Sequence, residues 1–179
     1  MTKMHDLTTG SLAGHFLRLA VPAAIGMVFS TLYNVVDVFF AGLISTDAQA
    51  GLAISFQAFF VFVTIGFGLG SAMTALVGNA IGAKDTAEAS KTAMQGIGFA
   101  IVASALLIMI ALFLGPHLLA FISTEGAYRD AGTAYFTILL FSLPGFIMGY
   151  GLNGLLQARG DTVSMQYALI GAFFANIGL

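Results

Sequence analysis

Long apolar segments separated by short clusters of charged residues organise this chain of 179 residues. No charged residue occurs in 48–83, 92–124 or 131–158. Each of these windows exceeds the roughly 20 residues that an α-helix needs to cross a hydrocarbon core. With the apolar stretches near both ends, they predict five helices, at about 17–44, 52–80, 93–114, 133–157 and 164–179. The pattern therefore predicts an all-α integral membrane protein, a transmembrane helix bundle in which 1–179 form a single membrane domain.

Composition strengthens the prediction of a membrane location. Hydrophobic residues make up 59% of the chain and charged residues 8%, whereas about 25% of the residues of a soluble domain are charged. Six basic and eight acidic side chains cannot cover a globular core with polar surface. The net charge of −2 provides no polybasic surface for nucleic acid. The absence of cysteine excludes disulfides and thiolate metal sites.

The first apolar segment is interpreted as a retained helix, because it is too long for a signal peptide and further spans follow it. Ser11 or Thr9 is expected to cap a turn before it. Pro22 removes one backbone hydrogen bond, and two interpretations stay open: a functional hinge, or a proline tolerated in the first turn of the helix. Pro144 can bend the fourth predicted helix in the same way, and Pro116 falls at the predicted end of the third.

The predicted connections alternate in their content of basic residues. The N-terminal segment, 81–92 and 158–163 hold five of the six Lys and Arg residues. The turn near Asp47 and the segment 115–132 hold only Arg129. Because cytoplasmic connections carry the excess of Lys and Arg, this pattern predicts a cytoplasmic N-terminus.

Asp37 is a single charged residue in the interior of a predicted span. It precedes Asp47 by ten residues, which is about 15 Å of helix and places it in the outer half of the membrane. A central Asp costs roughly 2.5–3.5 kcal/mol on insertion scales. With no basic residue inside a span to neutralise it, the carboxyl is expected to be protonated or to bind a cation in a wet cavity. Both states suit a carrier, and the alternative is an Asp that is only hydrogen-bonded within the bundle.

Three further polar residues are candidates for the same site. Tyr33 lies one turn before Asp37, on the same face of the helix. Asn153 and Asn176 are uncharged ligands predicted at membrane depth, and amide and carboxylate oxygens suit a hard cation such as sodium. The alternative for each Asn is a hydrogen bond that joins two helices. No catalytic triad, carboxylate pair or phosphate loop is visible, so the sequence predicts neither an enzyme nor a cofactor.

Four segments resemble, in order and spacing, the multidrug and toxic compound extrusion (MATE) family. The segment TLYNVVDVFFAGLIS, preceded by Pro22, resembles the first helix of that family, and GFGLGSAMTALVGNAIGAKD resembles its second helix and following loop. LNGLLQARGDT is similar to its fourth helix running into a Gly-Asp loop. NIGL resembles the start of a fifth-helix pattern in which an Asp follows the Asn by four positions, one position beyond Leu179. The resemblance extends over essentially the whole chain.

The resemblance implies a plasma-membrane protein of twelve helices in two six-helix lobes. Such proteins export organic cations and other drugs in exchange for protons or sodium ions, and rocking of the lobes gives alternating access. It implies a cation site around Asp37, lined by Tyr33, Asn153 and Asn176. This chain would then supply five helices of the first lobe, and the sixth helix and the whole second lobe would be missing. An end within an apolar run also suggests a fragment.

Two other functions are considered. Flippases of lipid-linked oligosaccharides share the broad architecture, but they are expected to carry basic residues in a central cavity, and these spans hold none. A non-transporting membrane subunit would show no ion-dependent behaviour at Asp37. The choice between sodium and protons as the coupling ion stays open.

Overall fold

The computed structural model describes residues 11–178, and within that range the regular structure is entirely helical. Six helices follow one another along the chain: α1 (Leu12–Ile44), α2 (Thr46–Gly82), α3 (Thr86–Ile122), α4 (Ala127–Leu140), α5 (Leu143–Ala158) and α6 (Ser164–Gly178). The prediction of an all-α membrane bundle is confirmed.

Three helices, α1, α2 and α3, are each long and apolar enough to cross a membrane. The pair α4 and α5 makes a fourth span that is bent by 52°. The helix predicted over 133–157 is therefore divided in two near Ser142. Pro144 stands in the first turn of α5, where its missing N–H costs no intrahelical hydrogen bond, so the break falls where proline is best tolerated.

The helices extend farther than the sequence predicted. The segments 81–92 and 115–132, predicted as connections, are mostly helical and leave only short links. Charged residues marked the predicted ends, but Lys91 and Arg129 lie within helical turns of α3 and α4. A helix that passes out of an apolar layer keeps its backbone hydrogen bonds, so a charge ends the apolar run without ending the helix. Pro116, predicted at a helix end, likewise lies inside α3.

Side-chain caps determine where the helices begin. Ser11 Oγ accepts a hydrogen bond from the backbone N–H of Gly14 at 3.2 Å, so the predicted cap before α1 is confirmed for Ser11. The other candidate, Thr9, lies outside the described residues. Asp85 Oδ1 accepts in the same way from the backbone N–H of Glu88 at 2.9 Å, at the start of α3. Both caps satisfy backbone donors that a helix start leaves free.

The centre of the bundle is α2, which packs against α3, α4 and α5. The core that α2 forms with these three helices is fully or almost fully buried, and it includes Phe59, Phe62, Leu119, Phe136, Leu140, Leu143 and Ile147. Small residues allow the close approach of α2 to its neighbours: a Cβ at Gly154 would collide with the carbonyl group of Gly70. Helix α1 packs chiefly against α6.

Candidate functional site

The carboxylate of Asp37 is bonded to an amide from the far end of the chain. Asn176 Nδ2, on α6, donates to Asp37 Oδ1, on α1, at 2.9 Å, and the pair is partly buried. Asp37 lies seven residues before the end of α1 at Ile44, which is about 10 Å of helix. The structure thus brings together two of the four residues that the sequence singled out.

The second polar atom of the Asn176 side chain is left without a partner. Asn176 Oδ1 is buried, and no described residue donates a hydrogen bond to it. An unpaired buried amide oxygen is costly, roughly 1–3 kcal/mol by mutational measures. This amide oxygen and the carboxylate of Asp37 are both of the ligand type that hard cations prefer. The pair can also respond to protonation of Asp37, because the protonated carboxyl becomes a donor.

Two tyrosines lie near this pair. Tyr33 is on α1, one turn before Asp37, and Tyr135 of α4 lies within electrostatic range of both. The ring of Tyr135 packs at 6.1 Å from that of Phe56, between ring centroids. The sequence analysis missed Tyr135, since tyrosine in a membrane protein ordinarily indicates an interfacial position and carries no other signal.

Asn153 lies elsewhere in the bundle. It lines a cavity between α2 and α5, and the first residue of α2 that lines this cavity is Phe67. Gln49 of α2 lies at about the same height in the bundle as Asp37. Its Nε2 donates to the backbone carbonyl oxygen of Val38, the residue after Asp37, at 3.3 Å. Gln49 precedes Phe67 by 18 residues, which is about 27 Å of helix. The described contacts therefore do not bring Asn153 to Asp37, and its place in the cation site stays a prediction.

The segment of α1 around Pro22 meets α6. Because α1 begins at Leu12, Pro22 lies inside the helix, and the interpretation that it marks a first turn is excluded. Gly26, one turn later, is buried against the side chain of Gln166, and a Cβ there would collide with the Gln166 amide. A proline and a glycine one turn apart weaken a helix locally. The Asp37 half of α1 is thus separated from its N-terminal half by a segment of low helix propensity.

Asp161 organises the start of the helix that carries Asn176. In the connection between α5 and α6, its carboxylate accepts from the Ser164 hydroxyl at 2.6 Å, from the Ser164 N–H at 2.9 Å and from the Val163 N–H at 3.1 Å. These hydrogen bonds, the Ser164 hydroxyl first, hold the pKa of Asp161 below its ordinary value. The charge also lies at a helix N-terminus, where the macrodipole favours an anion.

Comparison with known sequences points to one family. The MatE family model matches residues 22–179. The probable multidrug resistance protein YoeA of Bacillus subtilis is 24% identical over 160 residues, which are 89% of this chain and 35% of that protein. A probable multidrug resistance protein NorM of Burkholderia mallei is 29% identical over 167 residues, 90% of this chain and 36% of that protein.

Comparison with solved structures shows the same fold. An outward-facing multidrug resistance MATE family transporter of the MOP superfamily superposes with a TM-score of 0.90 at 23% identity, over all of this chain and 40% of that one. A MOP superfamily transporter from Pyrococcus furiosus, described as having a binding pocket of reversed polarity, gives the same three values. The chain therefore spans little more than a third of the length of these relatives. On the match of the family model to nearly its whole length, the chain belongs to the MatE family of membrane transporters.

Proposed function

We propose that this chain is part of the first lobe of a secondary active antiporter that exports cationic drugs across the plasma membrane in exchange for protons or sodium ions. The single observation that carries the proposal is the Asp37–Asn176 pair: an acid inside an apolar helix accepts a hydrogen bond from an amide whose buried oxygen has no partner among the described residues. Membership of the MatE family and relatives named as multidrug resistance proteins support drug export.

The chemistry of exchange follows from the charge of Asp37. While the carboxylate is ionised, it accepts a hydrogen bond from Asn176 and attracts positive species. Binding of a proton or a sodium ion neutralises that charge. The electrostatic attraction between the carboxylate and a cationic substrate elsewhere in the carrier is then weaker. A cytoplasmic N-terminus places Asp37 in the outer half of the membrane, so the ion enters from outside as the drug leaves.

Movement of α1 supplies the conformational step in this proposal. The N-terminal half of α1 can change direction at Pro22 and Gly26, because the helix is weakest there. Such a bend moves Asp37 relative to α2 and α4, since α1 packs mainly against α6. The ion site and the shape of the lobe are thereby linked.

The positions of the basic residues do not favour an anionic substrate. In the described chain beyond residue 20, every Lys and Arg lies in a connection or within about two turns of a helix end. A flippase for a pyrophosphate-linked lipid needs such charges at membrane depth. The alternative of a non-transporting subunit is separated from a carrier by the ion dependence of Asp37.

The test is drug efflux from cells that express the full-length carrier with Asp37→Asn. The substitution keeps the size and polarity of the side chain but removes its charge, so efflux should be abolished while expression is unchanged. Asp47→Asn is the matched control, because Asp47 is exposed at the start of α2 and should leave efflux near the wild-type rate. Efflux that persists in Asp37→Asn would refute the proposal.

A further inference from the structure

A side chain of α2 reaches the turn of α1 that carries Asp37. Gln49 lies in the first turn of α2, and its Nε2 donates to the backbone carbonyl oxygen of Val38, the residue after Asp37, at 3.3 Å. A carbonyl oxygen has two lone pairs, so it can accept this hydrogen bond in addition to the one within the helix. Gln49 thus fastens α1 to α2 one residue away from the acid.

Gly42 allows the Gln49 amide to reach the backbone of α1. It lies one turn after Val38 on α1, and a Cβ at this position would stand 3.2 Å from Gln49 Nε2 and 3.4 Å from Gln49 Cδ. A larger side chain at Gly42 would therefore overpack the contact and push the amide away from the Val38 carbonyl. The hydrogen bond depends on two positions, one on each helix.

Few polar contacts hold α1 to the rest of the bundle. Among the side chains that the structure describes, two hydrogen bonds join α1 to other helices: Asn176 of α6 donates to Asp37, and Gln49 of α2 donates to Val38. They meet consecutive residues of α1 from two different helices. Because α1 otherwise packs chiefly against α6, Gln49 provides the polar tie between the turn that carries the acid and the helices around α2.

The short connection between α1 and α2 supports this tie. Only Ser45 separates the two helices. Its Oγ accepts from the N–H of Ala48 at 3.0 Å, and its own N–H donates to the carbonyl oxygen of Ala41 at 3.2 Å. Gln49 follows Ser45 by four residues, so its hydrogen bond is a second attachment about one turn beyond the link. Two attachments restrict the rotation of α1 against α2 more than the link alone does.

We propose that Gln49 is a positioning residue for the ion site: it does not touch the ion, but it holds the Asp37 turn of α1 in place against Asn176. The groups that bind an ion must be held within about 0.5 Å of the productive geometry. Without the Gln49 hydrogen bond, the Asp37 turn moves more freely relative to α2, and the ion is bound more weakly. The inference rests on the proposed function and adds to it a residue that sets the affinity for the coupling ion.

The experiment measures the transport of ethidium, a fluorescent organic cation, by the full-length carrier in proteoliposomes while the concentration of sodium or of protons is varied. Gln49→Leu removes the donor at similar volume, so the half-saturating ion concentration should rise about tenfold, the low end of the effect of losing a supporting hydrogen bond. The maximal rate at saturating ion should stay within about twofold of the wild type, because Asp37 is intact. A change that only reduced the amount of folded carrier would do the opposite, lowering the maximal rate alone.

Gln57→Leu is the matched control for Gln49→Leu. Gln57 is exposed on the same helix, and its side chain makes no hydrogen bond to another described residue. The same chemical change there should leave the half-saturating ion concentration unchanged.

A second variant breaks the same hydrogen bond from the side of α1. Gly42→Val should raise the half-saturating ion concentration by a similar factor, and the double variant with Gln49→Leu should show no further rise, because both changes remove one interaction. Gly98→Val on α3 is its control, since no described atom lies within 4 Å of a Cβ there.

Wild-type half-saturating concentrations in both Gln49→Leu and Gly42→Val, or effects that add in the double variant, would overturn the positioning role. Either result would leave the loss of efflux in Asp37→Asn standing. Failure of this inference and failure of the antiport proposal are therefore distinguishable.

Discussion

At Asp37 the structure links a charge inside an apolar helix to one particular amide. Asn176 Nδ2 donates to the carboxylate, and Asn176 Oδ1 is buried with no hydrogen-bond partner among the described residues. A pair that served only to join α1 and α6 would have no need of a free oxygen at that depth. The unpaired oxygen therefore favours an ion site over a simple interhelical hydrogen bond.

Replacement of Asn176 tests this interpretation at the level of one side chain. Asn176→Leu removes both the donor and the free oxygen while keeping the volume, so the affinity for the coupling ion should fall by about tenfold or more. Calorimetric titration of the carrier with sodium chloride, and separately with protons by pH jump, measures the effect. Asn79→Leu, a change at an exposed residue of α2, is the control. An unchanged ion affinity would show that Asn176 is structural only.

How far the sequence predicts this site depends on the type of residue. Asp37 was predictable because a charged residue in a long apolar run needs either a partner or a proton. Asn153 and Asn176 look alike in the sequence, since each is an asparagine in an apolar run. Only the packing of α6 on α1 and of α5 on α2 shows which of them lies beside Asp37. Tyr135 was not predictable, since a tyrosine in an apolar run carries no signal that places it beside Asp37.

At the scale of helices, the sequence determined the number of apolar runs better than their ends. Charged residues predict the ends of the apolar runs, whereas α3 continues through Lys91 at one end and beyond Pro116 at the other. The prolines differ for a physical reason: Pro144 begins a helix, while Pro22 and Pro116 lie inside one. Hydropathy predicts which residues lie in the apolar layer of the membrane. It does not predict where a helix ends, because backbone hydrogen bonding continues beyond that layer.

Substitution of Pro22 tests whether α1 bends during transport. Pro22→Ala restores a backbone donor and raises helix propensity, so α1 stays straight, ion binding is retained and the rate of drug efflux falls about tenfold. Pro116→Ala is the matched control, because Pro116 also lies inside a helix but on an exposed position of α3. Equal efflux rates in the two variants would count against a hinge in α1.

The start of α6 should respond to pH through Asp161. Its pKa is lowered in the folded state, so its stabilisation is fully present above the unfolded value of about 3.9 and is lost as the pH falls through the lower folded value. Asp161→Asn should therefore reduce the free energy of unfolding by roughly 0.3–1 kcal/mol at pH 7. Denaturant titration in micelles at pH 7 and at pH 3 measures this; a difference from wild type that is as large at pH 3 would contradict it.

At the scale of the whole molecule, α2 carries a polar feature near each of its ends. The hydrogen-bonded pair of Asp37 and Asn176 lies near the level of the start of α2, and the cleft lined by Asn153 lies toward its end, with the buried core between them. Gly66 and Gly70 are four residues apart and both pack against α5, whereas Gly149, four residues after Gly145, faces open space. Small-residue spacing indicates where helices can approach, whereas the choice of partner depends on the three-dimensional arrangement.

The most direct measurement of the central claim is ion-driven drug transport in proteoliposomes that contain the full-length carrier. An imposed sodium or proton gradient should accelerate ethidium transport in the wild type, and Asp37→Asn should abolish the response to both gradients. Asp47→Asn should respond as the wild type does. Gradient-driven transport that continues undiminished without the Asp37 carboxylate would contradict the account.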